Sequence, residues 1–150
     1  MIEKVFVSSC LVGIKTRYNK KSAYNEKVLD FLKDKIAIIG CPEVLAGLKI
    51  PRLPLEIKGK VQDLLRGEAK IINKRGKDLT PKIFTACLEI VFILKKLKVK
   101  TAILKSLSPV CGSGKIYDGS FKGRIIKGDG LLAYLLKKNK IRVITDAEFR

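Results

Sequence analysis

The sequence predicts a three-layer α/β domain with a mostly parallel sheet, spanning residues 1–150. A chain of 150 residues suits one domain, since single domains mostly run ~100–200 residues. Hydrophobic residues make up 47% of the chain, which is enough to close a core. Short apolar runs alternate with longer helical segments, and no repeat or linker interrupts them. This composition excludes a disordered or fibrous chain.

The first third of the chain predicts two strands and one helix. Residues 4–8 form a short apolar run typical of a buried strand. Asn25 is a good cap for a helix over residues 26–33, which places its apolar residues on one face. Residues 35–39 are almost continuously apolar and end at Gly40. That pattern predicts a parallel strand covered on both faces.

The middle of the chain predicts an irregular region and then a long helix. Residues 50–76 carry prolines and scattered glycines, and within them residues 69–73 are expected to form the edge strand of a small hairpin. Thr80 and Pro81 are a capping residue and a first-turn proline, so they predict the start of a helix that runs to about Leu97. Because this helix is apolar almost all round, we expect it inside the molecule.

The last third predicts the remaining strands. Residues 101–104 form another buried strand, followed by a loop rich in Ser, Gly and Pro over residues 105–119. A final helix is expected from just after Gly130 to about Lys138, and residues 141–144 form the closing strand. The alternation of strands and helices favours parallel pairing.

The charge balance restricts the chemistry that this chain can perform. The formal net charge is +18, from 32 Lys and Arg against 14 Asp and Glu, and there is no histidine. A positive field of this size attracts phosphates, nucleotides, nucleic acid or acidic lipid. Without imidazole, any general acid or base is Glu, Asp, Lys, Tyr, Cys or water, and zinc sites built on histidine are excluded.

The N-terminal and most apolar segments predict a cytoplasmic protein without a membrane partner. Residues 1–7 lack the ~7–15-residue apolar stretch of a signal peptide. The most apolar segment, residues 83–94, contains Glu89 and falls short of the about 20 residues that a membrane span needs. In a reducing compartment, the four cysteines favour metal or catalytic chemistry over disulfides.

Three of the cysteines follow predicted strands. Cys10 comes after the first strand, Cys41 after the second, and Cys111 lies in the loop after residues 101–104. The carboxyl ends of parallel strands meet at one edge of a sheet, so these thiols are expected to converge there. Cys87 differs, because it lies inside the apolar helix and is expected to pack as a small hydrophobe.

The cysteine spacing leaves several occupants open. Zinc normally takes a fourth sulfur or nitrogen ligand, which this set does not offer. A cubane iron–sulfur cluster held by three cysteines keeps one iron open to bind a substrate. The chain has no Cys-x-x-Cys pair, so the spacing is also compatible with three thiols that share no ligand.

Ordered motifs across nearly the whole chain resemble a bacterial family of thiouracil desulfidase-like proteins. In this sequence they read VSSCLVG (7–13), RY (17–18), CPEVLAGL (41–48), PRLPLEI (51–57), GKDLT (76–80), KSLSPVCG (105–112), IYDGSF (116–121) and GDG (128–130). Ser9, Ala46 and Val110 depart from the family pattern. None of these departures removes a cysteine.

The resemblance implies an oxygen-sensitive 4Fe-4S cluster held by Cys10, Cys41 and Cys111. It also implies desulfuration of a thiolated pyrimidine without net redox change. The substrate is expected to be a thiolated base or nucleotide. Its sulfur would bind the open iron, water would attack the carbon, and sulfide would leave.

Catalytic roles are expected for three residues near the cysteines. Hydrolytic desulfuration needs a base for water, and Glu43 lies two residues after Cys41. The alternative is that Glu43 stabilises the start of a helix near Val44. Ser108 is expected to orient water or substrate and Lys105 to balance charge, although serines in this loop also suit backbone hydrogen bonding.

Substrate binding is expected from residues elsewhere in the motifs. Arg17, Tyr18 and Arg52 are candidates to hold a phosphate or stack on a base, the alternative being solvated surface residues. Glu56 is a candidate to contact the base or to pair with a lysine, and Ser8 is also expected at the substrate.

Two other functions remain open at this point. The basic surface suits an RNA- or nucleotide-binding protein, although only 7% of the residues are aromatic, there is no Trp, and the lysines are scattered. A cluster could instead serve as a redox sensor. The sequence leaves the oligomeric state open.

Overall fold

The computed structural model describes all 150 residues and contains one main sheet with helices on both faces. The strands and helices, in chain order, are β1 (Lys4–Ser8), α1 (Glu26–Leu32), β2 (Ile36–Gly40), α2 (Pro42–Leu45), β3 (Leu55–Lys58), β4 (Lys70–Asn73), α3 (Thr80–Lys96), β5 (Thr101–Leu104), β6 (Lys115–Tyr117), β7 (Ile125–Lys127), α4 (Leu131–Lys138) and β8 (Arg142–Thr145). None of the helices is long and apolar enough to cross a membrane.

The main sheet has four parallel strands in the order β2-β1-β5-β8. Phe6 of β1 lies between Ile38 of β2 and Ala102 of β5, which fixes the register at the centre. Because all four strands run the same way, the segments after β1, β2 and β5 start at one edge of the sheet. This edge carries the cysteines discussed below.

Alternating side chains of the sheet divide the core into two layers. Val5 and Val7 pack with Val28 and Leu32 of α1 on one face. The opposite face forms the larger cluster with α3, α4 and the β3–β4 hairpin. The three-layer α/β prediction is therefore confirmed.

Local hydrogen bonds explain where two helices begin. Asn25 Oδ1 accepts the Val28 N–H at 3.2 Å and caps α1 as predicted. At α3, Pro81 occupies the first turn, but Thr80 is already helical. The Thr80 hydroxyl accepts the Ile71 N–H at 2.8 Å, so it joins the helix to β4 instead of capping.

Two burial predictions were wrong. β2 is an edge strand, so Ile36 and Ile39 are 46% and 48% exposed and the strand is not covered on both faces. α3 lies in an outer layer and presents apolar side chains to solvent, with Phe92 61% exposed. A prediction from hydrophobicity alone gives both elements too much burial. How far a strand or helix is buried depends also on the strand order and on which layers lie next to it.

The hairpins gave one correct prediction and one miss. β3 and β4 pair antiparallel and confirm the edge hairpin expected around residues 69–73. The loop expected over residues 105–119 contains β6, which pairs antiparallel with β7. Each of these strands has three residues, which is too short for a readable alternation.

Candidate active site

A cavity of about 370 Å³ opens at the carboxyl edge of the parallel sheet. Its wall includes the ends of β1 and β2, the start of β3, and the loops after β5 and β6. Every residue predicted for the site contributes to this wall: Ser8, Cys10, Arg17, Tyr18, Cys41, Glu43, Arg52, Glu56, Lys105, Ser108 and Cys111. The structure thus brings the predicted set together, while the roles assigned to the residues remain predictions.

Cys10 reaches the cavity because the chain turns immediately after β1. Residues Ser9–Val12 form a short 3-10 helix, which ends at Gly13 with a φ of 104°. Cys10 is only 7% exposed. Burial raises the pKa of its thiol to about 11, and the nearby Cys41 adds to this rise while Lys105 and Arg17 oppose it.

The other two cavity thiols are influenced by the same surroundings. Burial raises the pKa of Cys41, which stands directly before α2, and the nearby Val44 N–H opposes the rise. Burial and Cys41 raise the pKa of Cys111, while the Ser8 hydroxyl opposes it. All three thiols line the one cavity, and the charge of each neighbouring thiolate would raise the pKa of Cys10 and of Cys111.

The donor set fits a cluster better than a single ion. No three His, Cys, Asp or Glu side chains converge tightly enough to hold one metal ion. Cys87 is fully buried in α3 and is absent from the cavity wall, so it offers no fourth ligand. Three soft thiol ligands around a cavity of about 370 Å³ suit an iron–sulfur cage with one iron left open.

Glu43 is held beside the cavity by Arg52. The Arg52 Nε donates to Glu43 Oε1 at 3.3 Å, and both side chains are largely buried. Glu43 lies in the first turn of α2, but its recorded partner is the guanidinium. Burial raises the pKa of the Glu43 carboxyl above its ordinary value, and Arg52 opposes the rise.

The guanidinium of Arg52 is occupied by protein acceptors. Besides Glu43, it donates to the carbonyl oxygens of Thr16 at 3.0 Å and Lys49 at 3.4 Å. Its backbone N–H donates to the Tyr18 carbonyl at 2.8 Å. These contacts favour a positioning role for Arg52 over the predicted phosphate contact.

Hydrogen bonds fix the start of the loop after β5. Ser8 Oγ accepts the Lys105 N–H at 3.1 Å and links the ends of β1 and β5. Lys105 Nζ donates to the Ser106 carbonyl at 3.1 Å and lies 3.8 Å from Asp146 Oδ2. Asp146 Oδ1 also accepts the Ser106 N–H at 2.7 Å. No sequence pattern pointed to Asp146, because it belongs to the segment after β8.

Ser108 serves the backbone around Cys111. Its Oγ accepts the N–H groups of Val110 at 3.1 Å and Cys111 at 3.0 Å. The alternative considered for this serine, satisfaction of loop backbone groups, is therefore what the structure shows. The same contacts hold Cys111 toward the cavity.

Glu56 closes the cavity from the side of the small hairpins. Its Oε1 accepts the N–H groups of Gly119 at 2.9 Å and Phe121 at 3.1 Å, and the residue is 7% exposed. Gly119 has a φ of 93°, and a Cβ there would lie 2.5 Å from the Ile57 carbonyl oxygen. This close approach requires glycine. The loop carries Phe121 into the cavity wall.

Arg17 and Tyr18 form a part of the cavity wall that is partly exposed and makes no ion pair. The Arg17 guanidinium lies 5.8 Å from the centroid of the Tyr18 ring, and Tyr18 is 38% exposed. No acidic side chain pairs with Arg17. The wall has 24 residues, and the thirteen that were not predicted as site residues include Thr16, Lys74, Tyr117 and Phe121. Of these four, only Tyr117 and Phe121 had a signal, since they fall within the IYDGSF motif.

Comparison with known proteins gives consistent matches over nearly the full chain. The model of the 2-thiouracil desulfurase family matches residues 5–148. The uncharacterized protein YbbK of Bacillus subtilis strain 168 is 42% identical over 145 residues, which cover 96% of each chain. A solved structure described as the 4Fe-4S-dependent thiouracil desulfidase TudS (DUF523Vcz) superposes with a TM-score of 0.86 at 32% identity, covering 97% of this chain and 92% of that one.

Proposed function

Because this chain belongs to the 2-thiouracil desulfurase family, we propose that it removes sulfur from a thiolated pyrimidine using a 4Fe-4S cluster. The reaction class is hydrolytic, with sulfide released and no net redox change. The observation that carries the proposal is the convergence of three cysteines from three strand ends on one cavity. Cys10, Cys41 and Cys111 are the proposed ligands.

The cluster and the protein divide the chemistry between them. When bound, the cluster supplies a soft Lewis-acidic iron that binds and polarises the thiocarbonyl sulfur. The buried Ser8 and the half-buried Ser108 hold the loops that carry the thiols. Lys105, which lies near Cys10, places a positive charge beside the sulfur ligands.

Glu43 is the proposed base for the attacking water. Its carboxylate lines the cavity, and burial moves its pKa upward, toward the range in which a carboxylate accepts a proton effectively. Arg52 holds the Oε1 atom, so the carboxylate keeps one orientation. The proton therefore passes from water to Glu43 as the oxygen attacks the carbon that bears sulfur.

The rest of the wall supports recognition of a planar, polar ring. Tyr18 and Phe121 offer aromatic surface for a base, and Arg17 offers an unpaired cation for an anionic substituent. Glu56 uses Oε1 for the loop, which leaves Oε2 as an acceptor for a ring N–H. These groups suit a thiolated base or its nucleotide.

The proposal is tested by reconstituting the chain under anoxia and measuring iron, sulfide and product. We expect about four irons per chain and sulfide release from 2-thiouracil or 4-thiouridine monophosphate. Glu43→Gln should retain the iron and lose activity by ~10²–10⁴-fold, the usual effect of a general base. Glu26→Gln, an exposed carboxyl on α1, is the matched control.

Three results would contradict the proposal. A chain that binds no iron after reconstitution excludes the cluster. An iron-loaded chain that releases no sulfide but changes its absorbance reversibly with oxidants would be a redox sensor. Salt-sensitive RNA binding that persists without iron, in a chain that desulfurates nothing, would indicate the RNA-binding alternative.

A further inference from the structure

The ammonium of Lys105 is tied to the wall of the cavity by its own loop and by a carboxylate. Its Nζ donates to the Ser106 carbonyl at 3.1 Å and to Ser106 Oγ at 3.3 Å, and it lies 3.8 Å from Asp146 Oδ2. An ammonium carries three N–H donors. Because two of the three are used by Ser106, Lys105 acts on the cavity mainly through its charge.

Asp146 holds this arrangement from behind the wall. It does not line the cavity, and it belongs to the segment that follows β8. Its Oδ1 accepts the Ser106 N–H at 2.7 Å, while Oδ2 faces the Lys105 ammonium. No other carboxylate pairs with Lys105. One side chain therefore fixes both the backbone and the cation at the start of the loop that leads to Cys111.

The C-terminal segment gives the Asp146 carboxylate a defined position. Asp146 begins a short 3-10 helix, in which Glu148 Oε2 accepts the Thr145 N–H at 2.9 Å. The Asp146 carbonyl accepts the Phe149 N–H at 3.0 Å. The Phe149 ring packs edge-on against Phe31 of α1, with the ring centroids 5.4 Å apart. A carboxylate anchored in this way can hold an ammonium in one place.

The proposed sulfur ligands attract Lys105 in the opposite direction. Ser8 Oγ accepts the Lys105 N–H at 3.1 Å, so Lys105 starts beside the turn that carries Cys10. Cysteines bind metal as thiolates, which are negatively charged. A lysine has a flexible four-carbon stem. Without an opposing carboxylate, the ammonium would therefore leave the wall and enter the space that a substrate needs.

On the basis of the proposed function, we propose that Asp146 is a positioning residue for the desulfuration. It holds the Lys105 ammonium on the cavity wall, so that the positive charge stays beside the sulfur ligands while the cavity stays open to the substrate. Asp146 thus acts through Lys105 and has no contact with the substrate.

Asp146→Asn tests this role with little change in shape. An asparagine keeps an oxygen that can accept the Ser106 N–H, but it lacks the charge that holds Lys105. The iron content should match the wild type. The KM for 2-thiouracil should rise by about five- to tenfold, the order expected for one partly buried charge pair, and kcat should change less.

Asp34→Asn is the matched control. Asp34 Oδ1 accepts a hydrogen bond from Lys35 Nζ at 3.0 Å, so this substitution also removes the carboxylate of a lysine–aspartate pair. The pair lies at the amino end of β2, which is the edge of the sheet opposite the cavity. The KM in this variant should equal that of the wild type.

A double-mutant cycle with Lys105→Met shows whether Asp146 acts through the ammonium. Methionine keeps an unbranched stem and has no charge to move. In the Lys105→Met chain, Asp146→Asn should therefore cause no further rise in KM. If Asp146 only held the loop through Ser106, its substitution would raise KM equally in both chains. That result, or an unchanged KM in Asp146→Asn alone, would overturn the proposal.

The midpoint potential of the bound cluster is a second measurement, and it needs no turnover. Asp146→Asn should favour one-electron reduction about tenfold, a rise of about 59 mV, because a negative charge is lost and the ammonium moves toward the cluster. The rise should be smaller in the Lys105→Met chain.

The two measurements separate the possible failures. A wild type that binds no iron overturns the proposed function and the role of Asp146 together. If the chain binds iron but releases no sulfide, the proposed function fails and the potentials alone decide whether Asp146 positions Lys105. Equal potentials in the wild type and Asp146→Asn would overturn that role and leave the proposed function standing.

Discussion

Cys111 and Cys87 are both buried free thiols, yet they belong to regions with different purposes. Burial raises the pKa of each, and each is near Cys41 and Glu43. Cys111 follows a strand and lines the cavity, whereas Cys87 packs among apolar side chains of α3. Burial and the raised thiol pKa are therefore common to both cysteines. The two differ in position, since only Cys111 lies at the carboxyl edge of the sheet.

The polar contacts of the two regions differ in the same way. Around the cavity, Ser8, Ser108, Glu56 and Arg52 use their side chains to hold backbone groups of loops. The environment of Cys87 contains no such bonds and depends on apolar packing. The protein's own hydrogen bonds therefore hold the loops of the cavity wall, which lowers the cost of ordering them around a ligand.

The cysteine comparison makes the largest prediction. Replacing Cys10, Cys41 or Cys111 with Ser should remove iron and desulfidase activity, because each substitution deletes one of three ligands. Cys87→Ser should retain iron. It should lower the free energy of unfolding by about 1–3 kcal/mol, because it buries a hydroxyl that has no hydrogen-bond partner. Iron analysis and urea denaturation measure the two effects. Iron loss in Cys87→Ser equal to that in Cys111→Ser would erase the distinction.

A smaller effect is expected at the turn that follows Cys111. A Cβ on Gly112 would lie 2.5 Å from the Ser108 carbonyl oxygen, so Gly112→Ala should displace this turn and lower the iron content. Overpacking of this kind costs about 1–3 kcal/mol. Gly76→Ala is the control, since Gly76 has open space around it, and its positive φ of 84° makes an alanine there strained without displacing a neighbour. It should reduce stability and leave iron binding intact.

The smallest effect is expected on the helix that covers the opposite face of the sheet. Asn25→Ala removes the acceptor for Val28 and the donor to the Phe149 carbonyl, which should cost about 1 kcal/mol. Thermal denaturation should show the loss, while iron content and sulfide release stay at wild-type levels. Asn25→Asp keeps the acceptor and should recover most of the stability. Altered activity in either variant would tie α1 to the cavity.

The meeting of the cysteines at one edge could be predicted from the sequence, because each of them comes after a predicted strand. Apolar runs before Cys10 and Cys41 and before the Cys111 loop are local patterns, and parallel pairing then brings the three sites to one edge. Partner choice over long distances was not predictable. Nothing near Asp146 indicates that its carboxylate would hold Ser106, and nothing near Arg52 indicates that its donors would turn inward.

Exposure was the other property that local patterns could not supply. The apolar sequence of β2 is the same whether the strand is central or at an edge, and only the strand order settles this. The apolar surface of α3 similarly has no covering element within the chain. β6 and β7 were missed because three residues carry too little periodicity.

The cavity wall draws on segments from Ser8 to Gly123, and Asp146 fixes the loop that leads to Cys111. Under the proposed function, a chain emerging from the ribosome therefore possesses at most two of its three sulfur ligands until residue 111 of 150 has been added. The third is positioned only after the C-terminal strand has paired with β5. Cluster delivery must consequently follow translation, and C-terminally truncated products would remain without iron.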